Sequence, residues 1–346
     1  MQAANSSVLR MLSGQRQALS FLEKAALSPR GGYIFHGPDG VGKRTAALLF
    51  AASINSPSAA QEIFSLSHPD VAVLFPFKAE PQSGKESWLA DLVGERSSYT
   101  LGSISPDPNP SWVVSIERIR ELRKEMLYPP RVLNRRVVMI FDFDRVRDEG
   151  ANAFLKTLEE PQADSVIILT TSRPFSLPAT IRSRCKMVRF NMLEDEEVKN
   201  VLIDRGFGED EAVTAADFSS GNLKRALLFL SDKSSVISED VMAFLEGSLS
   251  EIDRIRLMEK LGYRAGLDVI IGSFMLVFKW VLRSQTGRRP RWKRLDSIVS
   301  NLSQRIPHPS LLENILLTQR MSGRVILNPT PSLFLYEYLT SLKLGG

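Results

Sequence analysis

The apolar residues of this chain fall into two kinds of pattern before residue 193 and one kind after it. Gly31–Gly37 (GGYIFHG), Arg135–Asp144 (RRVVMIFDFD) and Ser165–Ser172 (SVIILTTS) are short, nearly continuous apolar runs. Such runs read as strands of a parallel sheet buried on both faces. Between them lie stretches with helical spacing. Ser115–Leu127 places Ile116, Ile119, Leu122 and Met126 on one stripe, and Asp148–Pro161 (DEGANAFLKTLEEP) is a helix stopped by proline. Lys43–Asn55 is rich in Ala and Leu and reads as a helix. Strands alternating with helices predict an α/β fold with a parallel sheet.

After Leu193 no further buried strand is expected, and the pattern is mainly helical. Phe218–Leu230 has a Ser-Gly turn followed by an amphipathic helix, and Leu267–Leu282 is the most apolar run. That run carries Asp268 and Lys279 and falls short of a membrane span of about 20 residues, so it reads as a buried helix. Three domains are predicted, at 1–192, 193–238 and 239–346. Pro76–Pro110, rich in Pro, Ser and Gly, reads as an irregular insertion with a short helix near 86–94. There is no internal repeat and no signal or transit segment by pattern.

Composition narrows this further. The chain has 346 residues, 43% hydrophobic and 24% charged, as expected for a soluble globular protein of two or three domains. One cysteine, Cys185, excludes an intrachain disulfide and a multi-cysteine zinc site, and favours a reducing, cytoplasmic setting. The net charge of +5 is compatible with a nucleic-acid neighbour without requiring one. The densest basic stretch, Arg283–Arg294, groups six basic side chains around Trp292. It reads either as a solvated loop or as a patch touching a phosphate backbone.

The clearest chemical motif is FHGPDGVGKRTAAL, Phe35–Leu48. Gly37, Gly40 and Gly42 let backbone N–H groups converge on phosphate oxygens, and Lys43 would reach the terminal phosphates. The strand before it and the helix after it are the context that a phosphate loop requires. Two features argue against hydrolysis. The residue after Lys43 should carry the hydroxyl that holds Mg²⁺, and it is Arg44. Thr45 is displaced by about 100° around the helix and should not substitute. The second strand should end in adjacent acids, but Phe141 and Phe143 flank Asp142, so either register puts a phenylalanine where a carboxylate is needed; Asp144 completes no adjacent pair. Lys43 could equally bond its own loop or pair with Asp142, and Asp142 could simply cap its strand.

Several stretches, in order, resemble the delta-prime subunits of the bacterial DNA polymerase III clamp loader. They are GQRQALSFLEKA, FHGPDGVGK, HPDVAVL, SIERIRELRKEM, RRVVMIFDFDRVRDEGANAFLKTLEEP, VIILTTSRPFSLPATIRSRC and SSGNLKRAL, together covering Gly14–Leu227. The resemblance implies an AAA+ core, a small helical lid and an all-α C-terminal collar. It implies a pentameric ring with motor and delta-type subunits, acting on a sliding clamp and primer–template DNA in the cytoplasmic, nucleoid-associated replisome. Delta-prime subunits of this kind are stators without an intrinsic ATPase that lend an arginine to a neighbour. Within Ser183-Arg184-Cys185, Arg184 would be that arginine finger. The family spacing assigns Phe141 to the metal-binding acid and Asp142 to the water-orienting one. Ser172 falls near the γ-phosphate sensor, and Lys224 stands where active relatives have a lid arginine. No cofactor is required, although the loop could hold ATP or ADP weakly, with Arg44 as the cation near the metal position. Many relatives carry a four-cysteine zinc module before HPD; no cysteine is present there, no metal is expected, and His68 reads as a turn or packing residue.

Two other readings remain at this stage. One is an active AAA+ ATPase of the motor type, against which Arg44 and Phe141 speak. The other is a standalone nucleic-acid module resting on Arg283–Arg294.

Overall fold

The structure is a computed structural model. It describes residues 8–78, 91–103 except 93, 112–231 except 163, 239–246, 267–290, 293–325 and 329–344. These form two compact units, residues 1–191 and 192–346.

The first unit is a parallel α/β sheet. Helix α1 (Arg16–Leu27) precedes β1 (Gly31–His36), α2 (Lys43–Ser53), α3 (Ala60–Phe64) and β2 (Val71–Leu74). Then follow α4 (Ile116–Glu125), β3 (Arg136–Ile140), α5 (Asp148–Glu159), β4 (Ser165–Thr171), α6 (Ala179–Arg182) and β5 (Cys185–Arg189). The five strands lie in the order β2-β3-β4-β1-β5, and every pairing is parallel. β3 and β4 are buried at every residue, which is why their sequences are unbroken apolar runs rather than alternating ones. The stripe predicted on α4 is real: Ile119, Leu122 and Met126 pack against Val138, Ile140 and Phe154. Ser115 caps that helix by accepting from Arg118 N–H.

Strand β2 and edge strand β5 were not called from the sequence. β2 is four residues long and β5 is mostly exposed, so neither carries a long apolar run. Of the short helix expected near 86–94, residues 86–90 and 93 lie outside the described residues, while 91, 92 and 94–97 are helical; most of the Pro76–Pro110 segment also lies outside the described residues. The part that is described folds back on the sheet. Phe77 bridges Val113, and Tyr99 is buried between Phe75 and Phe141.

The second unit is helical throughout its described residues. It comprises α7 (Asp195–Asp204), α8 (Glu209–Ser219), α9 (Leu223–Ser231), α10 (Glu239–Glu246), α11 (Leu267–Ser284), α12 (Lys293–Arg305), α13 (His308–Val325) and α14 (Pro331–Ser341). One apolar core runs through it, from Val198, Phe218 and Phe229 to Phe244, Phe274 and Tyr338. The apolar run at Leu267–Leu282 is the central helix α11 of that core. Among the described residues no helix is long and apolar enough to cross a membrane.

Arg283 donates in a two-pronged pair to the buried carboxylate of Asp217, joining α11 to α8. Burial pushes the Asp217 pKa up, opposed by Arg283. Of the basic cluster at 283–294, Arg283 is therefore committed inside the fold. Arg288 and Arg289 are exposed, and Arg291 and Trp292 lie outside the described residues.

Candidate functional site

The phosphate-loop motif joins the C-terminal end of β1 to the N-terminus of α2, as its sequence context requires. The loop keeps its backbone form. Gly40 and Gly42 have φ of 72° and 94°, a region that disfavours other residues. At Gly37 a Cβ would stand 2.1 Å from the Phe190 carbonyl oxygen, so nothing larger fits.

The side chains are already partnered. Lys43 Nζ donates to the carbonyls of Gly37 at 2.8 Å and Pro38 at 2.5 Å. Burial lowers the Lys43 pKa, against the pull of Asp39 and Asp142. Of the two alternatives for Lys43, the structure has the bond to its own loop. It is Arg44 that pairs with Asp142, Nη2 to Oδ2 at 2.5 Å, with both side chains only 16% exposed. Burial works against the Arg44 charge, but Asp142 and Asp39 outweigh it and raise its pKa above arginine's ordinary value.

Arg44 also lies on an aromatic floor. Its guanidinium carbon is 4.6 Å from the Tyr99 ring centre and 5.9 Å from that of Phe141. Tyr99 stacks on Phe141 at 5.7 Å with the rings 6° from parallel, and on Phe75 at 4.4 Å. Guanidinium over aromatic faces is favourable, more so where water is partly excluded. The two substitutions noted in the sequence are thus parts of one arrangement: Phe141 helps build the floor and Arg44 occupies it. Tyr99 completes it from within the supposed insertion; an isolated tyrosine in a Ser-rich stretch carried no pattern that could have revealed this. Burial pushes the Tyr99 hydroxyl pKa up to about 12.

Asp142 itself has φ 52°, ψ 53°, which few residues other than Gly, Asn and Asp adopt. Its N–H donates to Thr170 Oγ1 at 3.0 Å. The neighbouring Asp144 accepts from Thr171 Oγ1 at 2.6 Å, so it serves the end of β4. Thr45 and Ser172 are half-buried nearby in the chain, on α2 and just after β4.

Do these residues fit a magnesium nucleotide? The glycine backbone fits phosphate. The metal's ligands do not fit: a guanidinium bridges the first turn of α2 to the end of β3, across the gap that Mg²⁺ spans between hydroxyl and acid in a hydrolysing site. Among the described residues no group of three or more His, Cys, Asp or Glu could hold a metal ion.

Arg184 stands elsewhere. It immediately precedes β5, whose first residue, Cys185, pairs with Gly32 near the start of β1. The loop follows the other end of β1, so a six-residue strand of roughly 17–20 Å separates the two sites. Arg184 Nη2 pairs with Glu159 Oε1 at 2.7 Å, and Nη1 donates to the Thr180 carbonyl at 2.9 Å. Ser183 Oγ accepts weakly from Arg184 Nη1 at 3.4 Å and donates to the Thr180 carbonyl. The Arg184 and Glu159 side chains are 34% and 44% exposed, so this pair faces water. Sequence reasoning missed Glu159, although LEEP lay within a motif already singled out. Cys185 is packed under Gly32, and burial pushes its thiol pKa up to about 12, which leaves it unreactive. Lys224 lies on α9 in the second unit, half-buried. His68 is buried, and its Nδ1 accepts from Asp70 N–H, in a turn.

The parallel sheet, with its phosphate loop between β1 and α2 and a helical part after it, defines a phosphate-loop α/β core of the AAA+ type. The profile of a family described as DNA polymerase III, delta subunit, matches residues 14–194, and the chain belongs to that family. It is 26% identical to DNA polymerase III subunit delta' of Bacillus subtilis, over 78% of this chain and 76% of that one. It is 38% identical to delta' of Escherichia coli K12 over 31% of this chain and 28% of that one. It is 26% identical to subunit tau of B. subtilis over 66% of this chain but only 38% of the longer relative. A solved structure of a DNA polymerase III gamma subunit-related protein from Thermotoga maritima aligns over 94% of this chain and 97% of that one, at 18% identity and a TM-score of 0.39.

Proposed function

We propose that the chain is a non-hydrolysing stator of a replicative clamp loader. In this reading it helps to load a sliding clamp onto primed DNA, within a ring of motor and delta-type subunits in the cytoplasmic replisome. It supplies Arg184 in trans to a neighbour's ATP site and requires no cofactor of its own.

The observation that carries the non-hydrolysing part is the Arg44–Asp142 pair on the Tyr99–Phe141 floor. Arg44 and Phe141, the two positions read as those of the metal's ligands, both belong to that arrangement. Action in trans is supported by the position of Arg184. It lies at the N-terminal end of the strands, opposite the end that carries its own loop, so a phosphate within its reach belongs to another molecule. Arginine suits that task because its planar fork is charged at any working pH and can stabilise the charge that builds on a transferring phosphoryl group. Ser183 would help to orient it. Ser172 and Lys224, placed by resemblance at the sensor and lid positions, have no partner nucleotide in this reading.

The test is direct. The isolated chain is expected to show no ATP turnover, whereas a rate near ~1 s⁻¹, at the low end of ordinary enzymes, would refute the stator reading. In the reconstituted assembly, Arg184→Ala should abolish the DNA-stimulated hydrolysis that this chain supports; unchanged hydrolysis and clamp loading would refute the finger.

A further inference from the structure

Arg283, Arg288 and Arg289, from the densest basic stretch of the chain, line one cleft of about 1080 Å³ in the second unit. Five helices and one turn build it. Phe229 of α9, Trp280 of α11 and Leu295 of α12, with Pro290 in the turn between α11 and α12, give it an apolar lining. Charged side chains complete it. Asp195 and Glu196 come from the first turn of α7, and Glu209, Asp210 and Glu211 from the first turn of α8. Lys199 lies on α7, and Arg288 and Arg289 lie on the turn after α11.

The walls are held by internal pairs. Lys279 and Arg283, one turn apart on α11, reach two different helices. Lys279 Nζ donates to Asp195 Oδ2 on α7 at 2.5 Å, and Arg283 holds the buried Asp217 on α8. The Arg283 guanidinium carbon also lies 5.1 Å from the Trp280 ring centre, which fixes the indole from one side. Lys199 pairs with Glu196 within α7 at 2.5 Å. Two features are left over. Arg288 and Arg289 are exposed and make no ion pair among the described residues. The Trp280 indole N–H is buried without an acceptor, although a buried tryptophan N–H ordinarily finds one.

We propose that this cleft binds an extended segment of a protein partner, in which a large apolar side chain is flanked by basic residues on one side and by an acidic residue on the other. The apolar side chain meets Phe229, Trp280 and Leu295. The basic flank meets the carboxylates of α7 and α8, the acidic residue meets Arg288 and Arg289, and a backbone carbonyl gives the Trp280 N–H its acceptor. Carboxylates outnumber basic side chains among the lining residues, so a phosphate backbone would be repelled here despite the arginines. The volume stands at the upper end of the roughly 300–1,000 Å³ of small-molecule pockets, and charges of both signs drawn from several elements suit a ligand of several residues. Tryptophan and arginine on walls fixed in advance are the features of an interface hot spot. The proposal concerns the chain by itself and does not require the stator reading.

The experiment titrates the full chain into fluorescently labelled peptide pools and reads anisotropy. Each pool has a central Phe, Leu or Trp. One carries lysines before it and glutamates after it, a second has the reverse order, and a third has neutral Ser and Gly flanks. Labelled oligothymidylate is the nucleic-acid arm. The expected result is that one charged order binds about tenfold or more tightly than the neutral pool. Arg288→Glu/Arg289→Glu, at exposed sites, should abolish that preference with the melting temperature unchanged. Trp280→Phe keeps an aromatic ring but removes the N–H, and should weaken binding about three- to tenfold. Equal binding of charged and neutral pools would overturn the proposal, as would a charged preference that survives the double arginine variant. Oligothymidylate that displaces the peptide and loses its own binding in the same variant would assign the cleft to nucleic acid instead. None of these outcomes involves Arg184, so failure here leaves the stator reading standing.

Discussion

Among the arginine–carboxylate pairs of the first unit, two have nearly the same length and very different settings. Arg44–Asp142, at 2.5 Å, is 16% exposed on both sides and is laid on aromatic rings. Arg184–Glu159, at 2.7 Å, is about a third or more exposed on both sides and faces water. Breaking a buried pair strands a charge and costs about 3–5 kcal/mol, whereas an exposed pair contributes about 0–1 kcal/mol. The first pair is therefore part of the fold. The second can be given up whenever a phosphate offers the guanidinium a better partner. The same two kinds of chemical group are held inside the fold in one place and left at the water boundary in the other, and burial together with the aromatic floor makes the difference.

Several measurements would break or sharpen that contrast. The largest effect is expected from Arg184→Ala in the reconstituted assembly. Single-turnover hydrolysis at the adjoining subunit should fall by about a thousandfold, while the melting temperature of the isolated chain hardly changes. Next comes Arg44→Ala, which should leave the ATP turnover of the assembly intact and destabilise the chain by about 2–4 kcal/mol, read from urea unfolding. If Arg44→Ala proved as mild as Glu159→Gln, the division into a structural and an exchangeable pair would be wrong.

Asp70 provides a pH-dependent control on the buried side. Burial alone would raise its pKa, but the N–H groups of Arg131, Leu133 and Val132, with Arg136, outweigh it and hold it below its ordinary value. A carboxylate lowered in this way contributes stability at pH values above its unfolded pKa of about 4, and that contribution is lost as the pH falls through the folded value. Asp70→Asn should therefore flatten the acid limb of the stability–pH curve below about pH 4, and an unchanged limb would count against that buried network. Smallest of all, Glu159→Gln should change stability by less than about 1 kcal/mol and leave hydrolysis within about threefold. On the proposed reading, in which Arg44 and Phe141 stand at the metal's ligand positions, adding Mg²⁺ to ATP should give no thermal stabilisation beyond that of ATP alone.

Much of this was legible from the residues. The glycine spacing of the loop, the continuous apolar strands, the arginine after Lys43 and the phenylalanines flanking Asp142 are local features, each readable within a few positions. The structure retained the loop's form and connected the losses. Arg44 and Phe141 are 97 residues apart, and only the ordering of β3 beside β4 and β1 brings the end of β3 next to the first turn of α2. Tyr99 enters from a stretch whose composition suggested nothing but irregular chain. The pairing of Arg184 with Glu159 was likewise hidden, because 25 residues and a buried strand lie between them.

What the sequence determined by itself was the menu: an α/β phosphate-loop core, a helical remainder, and a loop whose lysine is followed by an arginine rather than a hydroxyl. These follow from local backbone preference and from which residue types can do which chemistry. Tertiary structure alone decided which charges meet, which of them lose water and which stay exchangeable. It also decided that Arg288 and Arg289 share a cleft with the carboxylates of α7 and α8. Dielectric environment and proximity across a sheet belong to the packed fold, and no local pattern along the chain encodes them.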